Sequence, residues 1–163
     1  MLQSRQRIRL ENYDYSDSGV YFITICSKDK KKIFWKKSFF QKGADYPECL
    51  SAYGEIVFRA IENIHHHYSF VNVDVFTVMP NHIHLLLRIE KDTVDDCGRI
   101  ISAPTKNICT IIGQLKRSVS KEIGKPVWQK SFYDHIIRDN NDLLTKWNYI
   151  VNNPIKWKLD EYY

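Results

Sequence analysis

Apolar residues recur along the chain with two periods, one typical of strands and one typical of helices. β-branched and aromatic runs predict four strands, over residues 19–27, 73–78, 82–89 and 132–138. Apolar positions three and four apart predict helices over residues 51–68 and 105–123. A third helix is predicted over 142–153, where an Asn/Asp-rich segment precedes the helical pattern and Pro154 follows it.

The segments between these elements are polar or rich in turn residues. Lys28 to Lys32 reads KDKKK and predicts a charged hairpin tip that leads into a second short strand over 33–40, followed by a loop over 41–47. Met79-Pro80-Asn81 predicts the hairpin connection between the second and third long strands. The stretch 91–104 predicts a long loop.

This order of elements predicts one α+β domain. Strands and helices alternate as β-(β)-α-β-β-α-β-α, which favours a ferredoxin-like (RRM-like) antiparallel sheet with helices on one face, plus a C-terminal helix. No repeat or Pro/Ser-rich linker divides the sequence, and 163 residues suit one core. We therefore expect residues 1–163 to form a single domain.

Composition excludes some classes of protein and favours others. No apolar run approaches the roughly 18 residues of a membrane span, and no apolar segment follows the basic N-terminus, so we expect a cytoplasmic protein with no membrane partner. The four cysteines form no C-x-x-C pair and are expected to be reduced thiols. Lys and Arg outnumber Asp and Glu by 24 to 19, a net charge of +5 that suits an anionic partner.

Two short motifs contain residues that could carry chemistry. His82 and His84 lie two apart in a predicted strand, so they share one face about 7 Å apart and could converge on one ion. Tyr149 and Asn153 lie four apart in the last predicted helix and share one of its faces. Each motif also has a structural interpretation, as half-exposed polar histidines or as ordinary helix packing. His65 to His67, being consecutive in a helix, point in different directions and are not expected to chelate one metal.

Together these motifs resemble a known family. The sequences that carry the resemblance are MPNHIH at 79–84, WQKSFYDHIIR at 128–138, YIVNNP at 149–154 and, less specifically, Asn12-Tyr13-Asp14-Tyr15. The chain resembles the single-tyrosine HUH transposases of the insertion sequence 200 group, and more closely their REP-associated tyrosine transposase relatives. The likeness covers most of the chain.

The resemblance implies a role for each motif residue. His82 and His84 would be ligands of Mg²⁺ or Mn²⁺, and Tyr149 on the C-terminal helix would be the nucleophile that attacks DNA. Asn153 stands where the insertion-sequence enzymes carry a Gln and would be the third metal ligand.

Three further residues compete for these roles. His135 and Asp134 are alternative third ligands, because the Asn153 side chain is shorter than that of Gln. Tyr133 is an alternative nucleophile.

The resemblance also implies the partner, which is single-stranded or hairpin DNA in a bacterial cytoplasm, near the nucleoid. Candidate DNA contacts are Lys116, Arg117, Trp128 and Arg138. A homodimer and a monomer both remain open. The alternative function is that of a domesticated relative that binds structured repeats without cutting them. An RNA-binding RRM lacks support because the aromatic RNP1 pattern is missing, and a zinc hydrolase lacks further ligands.

Overall fold

A four-stranded antiparallel sheet forms the centre of the computed structural model, which describes residues 19–40, 47–90, 92–94, 97–102 and 107–159. The Asn12 to Tyr15 motif and the predicted loop at 41–46 lie outside the described residues. The strands are β1 Gly19–Cys26, β2 Val71–Val78, β3 His82–Ile89, β4 Asp92–Val94, β5 Ile100–Ser102 and β6 Tyr133–Ile136. The helices are α1 Ala52–Glu62, α2 Ile64–His67, α3 Ile108–Ile123 and α4 Asn140–Asn152.

The sheet has the predicted ferredoxin-like topology. Its order is β2-β3-β1-β6, and β1 pairs antiparallel with both β3 and β6. With α1 between β1 and β2, and α3 between β3 and β6, the main elements follow the βαββαβ order of that fold. The predicted α+β class is therefore confirmed.

Strand alternation gives the sheet two differently covered faces. Ile23 of β1 and Leu85 of β3 belong to the main core, which also contains the apolar residues of α1 and α3. Phe22 and Leu86, one position along, point to the other face and pack with Ile150 of α4 in a separate small cluster. The C-terminal helix thus lies on the face opposite α1 and α3.

The expected second strand over 33–40 is wrong. Both edges of β1 are already paired, so this segment crosses the end of the sheet and forms only an isolated bridge, between Trp35 and Leu50, and a 3-10 turn over Lys37–Phe39. The segment passes so close to α1 that a Cβ on Gly54 would lie 2.0 Å from the carbonyl oxygen of Phe34. KDKKK is correspondingly not a hairpin tip: Lys28–Lys30 is a 3-10 turn with Asp29 at φ 58°.

Two other expectations need correction. The predicted loop over 91–104 contains the two-stranded antiparallel pair of β4 and β5. The predicted helix over 51–68 is divided at Asn63 into α1 and the four-residue α2. Three-residue strands and a single turn of helix are too short for their period to be recognised in a sequence.

Candidate functional site

Two histidine side chains of β3 converge beneath α4. His82 and His84 are 0% and 1% exposed, and their Nε2 atoms lie 2.9 Å apart. They share one face because side chains two residues apart in a strand point the same way. Ile83 and Leu85 point into the main core and fix that orientation. The interpretation as half-exposed histidines is therefore wrong, because both imidazoles are fully buried.

The outer nitrogen of each imidazole is held by a neighbouring polar group. His82 Nδ1 lies 2.7 Å from Asn81 Oδ1, and because an amide oxygen only accepts, the proton of neutral His82 is on Nδ1. His84 Nδ1 lies 2.8 Å from the hydroxyl of Thr24 on β1, which can donate or accept. His82 therefore presents an Nε2 lone pair, and His84 presents either a lone pair or a proton according to the direction of the Thr24 hydroxyl.

Burial keeps both imidazoles neutral. Desolvation lowers the pKa of His82 well below its ordinary value, and the charges of His84 and Lys30 act in the same direction. Desolvation, with a smaller contribution from the ammonium of Lys146, lowers the pKa of His84 to about 3. Neutral imidazoles are the form of histidine that binds metal ions.

The helix α4 is anchored to the sheet at its beginning. Asp139 is the N-cap, its carboxylate accepting a hydrogen bond from the backbone N–H of Asp142 at 2.8 Å. Asp142 in turn accepts from Nε2 of His135 on β6, at 2.8 Å. Burial alone would raise the pKa of Asp142, but hydrogen bonds from His135 and from the Arg138 backbone N–H hold it below its ordinary value.

The buried face of α4 places Tyr149 over the histidine pair. Ile150 is 1% exposed and packs on Phe22 and Leu86. The neighbouring Tyr149 ring lies 5.1 Å from the His84 ring and 6.0 Å from the Phe22 ring, edge-on to each, while 38% of the residue stays exposed. The structure therefore brings Tyr149 together with His84, as the motif pattern predicts.

Asn153 lies one turn beyond Tyr149 and is 3% exposed. Its Nδ2 atom has no hydrogen-bond partner among the described residues. Both residues line a cavity of about 330 Å³, together with Lys156. Turning the Asn153 amide by half a rotation would replace the unpartnered nitrogen with an oxygen, which is a potential metal ligand.

The alternative candidates on β6 fall on two different faces. Tyr133 pairs with Thr24 and His135 with Phe22, so both lie on the face of the histidine pair. Asp134 pairs with Ile23, which faces the main core, and thus lies on the opposite side of the sheet. Tyr133 is 39% exposed and its ring lies 6.5 Å from that of Phe22.

Comparison with known proteins finds similar sequences and a similar fold. No family model matches the sequence. An uncharacterised protein of Haemophilus influenzae is 33% identical over 99% of this chain and 94% of its own length. A second protein of that organism, provisionally named a REP-associated tyrosine transposase, is 29% identical over 90% of this chain and 77% of its own length. The chain is therefore similar to a REP-associated tyrosine transposase over most of its length. A solved structure described as a REP-associated tyrosine transposase bound to a REP hairpin has the same fold, with a TM-score of 0.62 and 17% identity over 94% of this chain and 76% of that one.

The spacing of the two imidazoles fits the divalent metal that the sequence resemblance implies. Two ligand atoms about 2.1 Å from one ion and at right angles to each other are separated by about 3 Å, which is close to the spacing of the two Nε2 atoms. Within the described part of the chain, no third His, Cys, Asp or Glu joins them in a metal-binding group. Two imidazoles with open positions beside them suit Mn²⁺ and tolerate Mg²⁺, both of which accept water and phosphate oxygens.

Two of the predicted DNA contacts, Trp128 and Lys116, are part of the folded framework of the protein. Trp128 is 8% exposed and packs in the main core, its ring 5.1 Å from that of Phe34. The Lys116 ammonium donates to the backbone carbonyls of Gln129 and Lys130, at 2.5 and 3.0 Å, and burial lowers its pKa. The expectation that Trp128 stacks on bases is wrong for this structure, and Lys116 ties α3 to the following loop.

The other two predicted contacts remain exposed. Arg117 lies on α3, which packs on the sheet face opposite the histidine pair, whereas Arg138 lies between β6 and α4. No helix in the described ranges has both the length and the apolar composition to cross a bilayer.

Sequence reasoning missed four residues that build the candidate site. Thr24, Phe22, Lys146 and Asp142 are distant from the histidines in sequence, and only the strand register and the docking of α4 bring them there. Asn81 was visible as part of MPNHIH, but its hydrogen bond to His82 was not predicted.

Proposed function

We propose that this chain is a single-domain DNA transposase in which Tyr149 attacks a phosphodiester of single-stranded DNA with the help of a divalent metal at His82 and His84. The observation that carries the proposal is the buried, convergent imidazole pair with the Tyr149 ring 5.1 Å from it. The family supplies the reaction type, and the local geometry supplies the assignment of residues.

The proposed reaction exchanges one phosphodiester for another. Tyr149 Oη loses its proton and forms a bond to the phosphorus, while the bond from phosphorus to the 3′-oxygen of the preceding nucleotide breaks. That oxygen takes up a proton, and the products are a 5′-phosphotyrosine link and a free 3′-OH. Rejoining is the reverse attack by a 3′-OH, so the sequence of steps needs no ATP.

The residues around Tyr149 have separate proposed roles in binding the metal and orienting its ligands. His82, His84 and Asn153 would hold the metal, and Asn81 and Thr24 orient the two imidazoles through their outer nitrogens. A bound Mg²⁺ or Mn²⁺ would polarise a phosphate oxygen and favour the phenolate, whose parent phenol ordinarily has a pKa near 10. The exposed part of Tyr149 leaves its proton a path to solvent.

Hairpin DNA is the substrate we propose. The solved relative is bound to a REP hairpin, and the net charge of +5 suits a polyanion. The test uses oligonucleotides taken from any inverted, imperfect palindromes that sequencing finds beside the gene.

The nucleophile is tested by covalent trapping. A labelled oligonucleotide is incubated with Mn²⁺ and wild type, Tyr149→Phe or Tyr133→Phe, and the adduct is resolved on a denaturing gel. Tyr133 is a matched control because it is equally exposed and lies on the same face. We expect an adduct with wild type and Tyr133→Phe and none with Tyr149→Phe. Loss only in Tyr133→Phe would move the nucleophile to β6, and binding without any adduct would favour the non-cleaving relative.

The metal site is tested without DNA. Mn²⁺ binding is followed by the loss of the free-ion EPR signal for wild type, His84→Gln and His66→Gln, the last an exposed histidine outside the site. We expect His84→Gln to weaken binding by at least tenfold and His66→Gln to leave it unchanged. Equal binding by all three proteins would contradict the assignment.

A further inference from the structure

A lysine on α4 faces the same small space as Tyr149 and His84. Lys146 lies three residues before Tyr149, so both project from one side of the helix. Its Nζ stands 4.8 Å from the centre of the Phe22 ring, and that ring stacks on His84 at 5.3 Å and meets Tyr149 edge-on at 6.0 Å. The Phe22 ring is therefore a shared neighbour of the Lys146 ammonium, the Tyr149 phenol and the His84 imidazole.

The Lys146 ammonium forms no salt bridge within the described chain, although it acts electrostatically on the Asp142 carboxylate. Asp142, one turn earlier on α4, is hydrogen-bonded to His135, and Lys146 itself forms neither a salt bridge nor a hydrogen bond with any described residue. The side chain is half-buried, with its stem over Phe22. A cation in this position is stabilised by the ring but is not neutralised.

The metal proposed above would add a second positive charge on the same face of the sheet as Lys146. Its ligands, two neutral imidazoles and an amide, bring no negative charge, and the described residues add no carboxylate to them. A divalent cation and an ammonium on the same face repel each other unless an anion binds between them. The phosphodiester attacked by Tyr149 has that charge.

We propose that Lys146 binds a non-bridging oxygen of the scissile phosphate and holds it in front of Tyr149. This proposal rests on the function proposed above and adds a substrate-binding residue to it. The lysine neutralises the charge that builds on the phosphate as the phenol oxygen attacks, and it does so without ligating the metal.

The first experiment measures the rate of adduct formation in three variants. Lys146→Met removes the charge but keeps an unbranched stem on Phe22, Lys146→Arg keeps the charge, and Lys121→Gln removes a charge from the last turn of α3 on the other side of the sheet. We expect a loss of at least tenfold for Lys146→Met, substantial rescue by Lys146→Arg and no change for Lys121→Gln. A wild-type rate in Lys146→Met would overturn this proposal and leave the role of Tyr149 intact. Absence of an adduct from wild type would overturn both.

The second experiment measures binding alone, in the Tyr149→Phe background with EDTA. The oligonucleotide carries either a normal phosphodiester or an uncharged methylphosphonate at the mapped cleavage position. A charged hydrogen bond of about 1.5 kcal/mol corresponds to roughly tenfold in Kd. We expect Lys146→Met to weaken binding of the normal strand by about that factor and to leave the methylphosphonate strand unaffected. An equal loss on both strands would show that Lys146 acts only through the packing of α4.

Discussion

Acid should destabilise this protein through its buried histidine pair, and the size of the effect follows from burial. In the unfolded chain each histidine takes up a proton near its ordinary pKa of about 6.5. In the folded protein burial lowers the pKa of His84 to about 3, so this residue is not protonated at pH 5, and burial lowers the pKa of His82 in the same way. The unfolded state therefore gains protons that the native state does not. Stability falls as pH falls, by about 1.4 kcal/mol per pH unit per histidine below 6.5.

The loss between pH 7.5 and pH 5 is about 2 kcal/mol for His84, and His82 adds to it in the same direction. The assay is urea unfolding at both pH values, with EDTA present, for wild type and for His84→Gln. The variant lacks one titrating group and should lose about 2 kcal/mol less than wild type. The other histidines are common to both proteins, so their contribution cancels in the comparison. An identical loss in wild type and variant would show that His84 is protonated in the folded protein, and the reasoning from burial would fail.

Four other substitutions test how the fold supports the site. Gly54→Ala should lower the free energy of unfolding by about 3 kcal/mol, because the new Cβ would lie 2.0 Å from the Phe34 carbonyl oxygen. Gly113→Ala is the control in α3: its Cβ would meet no atom within 4 Å, so thermal unfolding should show a gain in stability of up to about 1 kcal/mol. Ile150→Ala should cost about 3 kcal/mol and slow adduct formation, because it removes the buried contact that seats α4; an unchanged rate in a folded variant would contradict that role. Asp142→Asn should lower the free energy of unfolding by about 1 kcal/mol at pH 7. Because the pKa of Asp142 is lowered in the folded protein, its carboxylate stabilises the fold only while it is ionised. Urea unfolding should therefore show the difference between variant and wild type disappearing as pH falls below the ordinary carboxyl pKa near 4.

The sequence predicted most of what depends on one element at a time. The alternation in β3 required His82 and His84 to share the face opposite Ile83 and Leu85, and the structure has that arrangement. The four long strands and three main helices were found because each repeats its period over enough residues. The N-terminal end of α4 was predicted two residues late, although Asp139 caps it as the Asn/Asp-rich segment indicated.

What the sequence did not predict depends on contacts between distant segments. The apolar residues at 33–40 are typical of a strand, but both edges of β1 are occupied by β3 and β6. The pairing of β1 cannot be deduced from the sequence of residues 33–40. Trp128 read equally well as a stacking surface or as core until its neighbour Phe34 was known. Lys146 gave no signal in the sequence because its significance comes from Phe22, which lies more than a hundred residues away.

The burial of the histidine pair has a consequence for how substrate reaches it. With His82 and His84 almost inaccessible beneath α4, a phosphate cannot contact a metal there unless the helix or the turn after it moves. The small cluster of Phe22, Leu86 and Ile150 that seats α4 is separate from the main core, so opening this face leaves the main core packed. We therefore expect amide hydrogens of α4 to exchange faster than those of β1 and β3, and binding of hairpin DNA with Mn²⁺ to slow their exchange. Hydrogen exchange followed by mass spectrometry measures both. Equal protection of α4 and the central strands in the free protein would mean that the site opens only with global unfolding, and a different entry route for the phosphate would then be required.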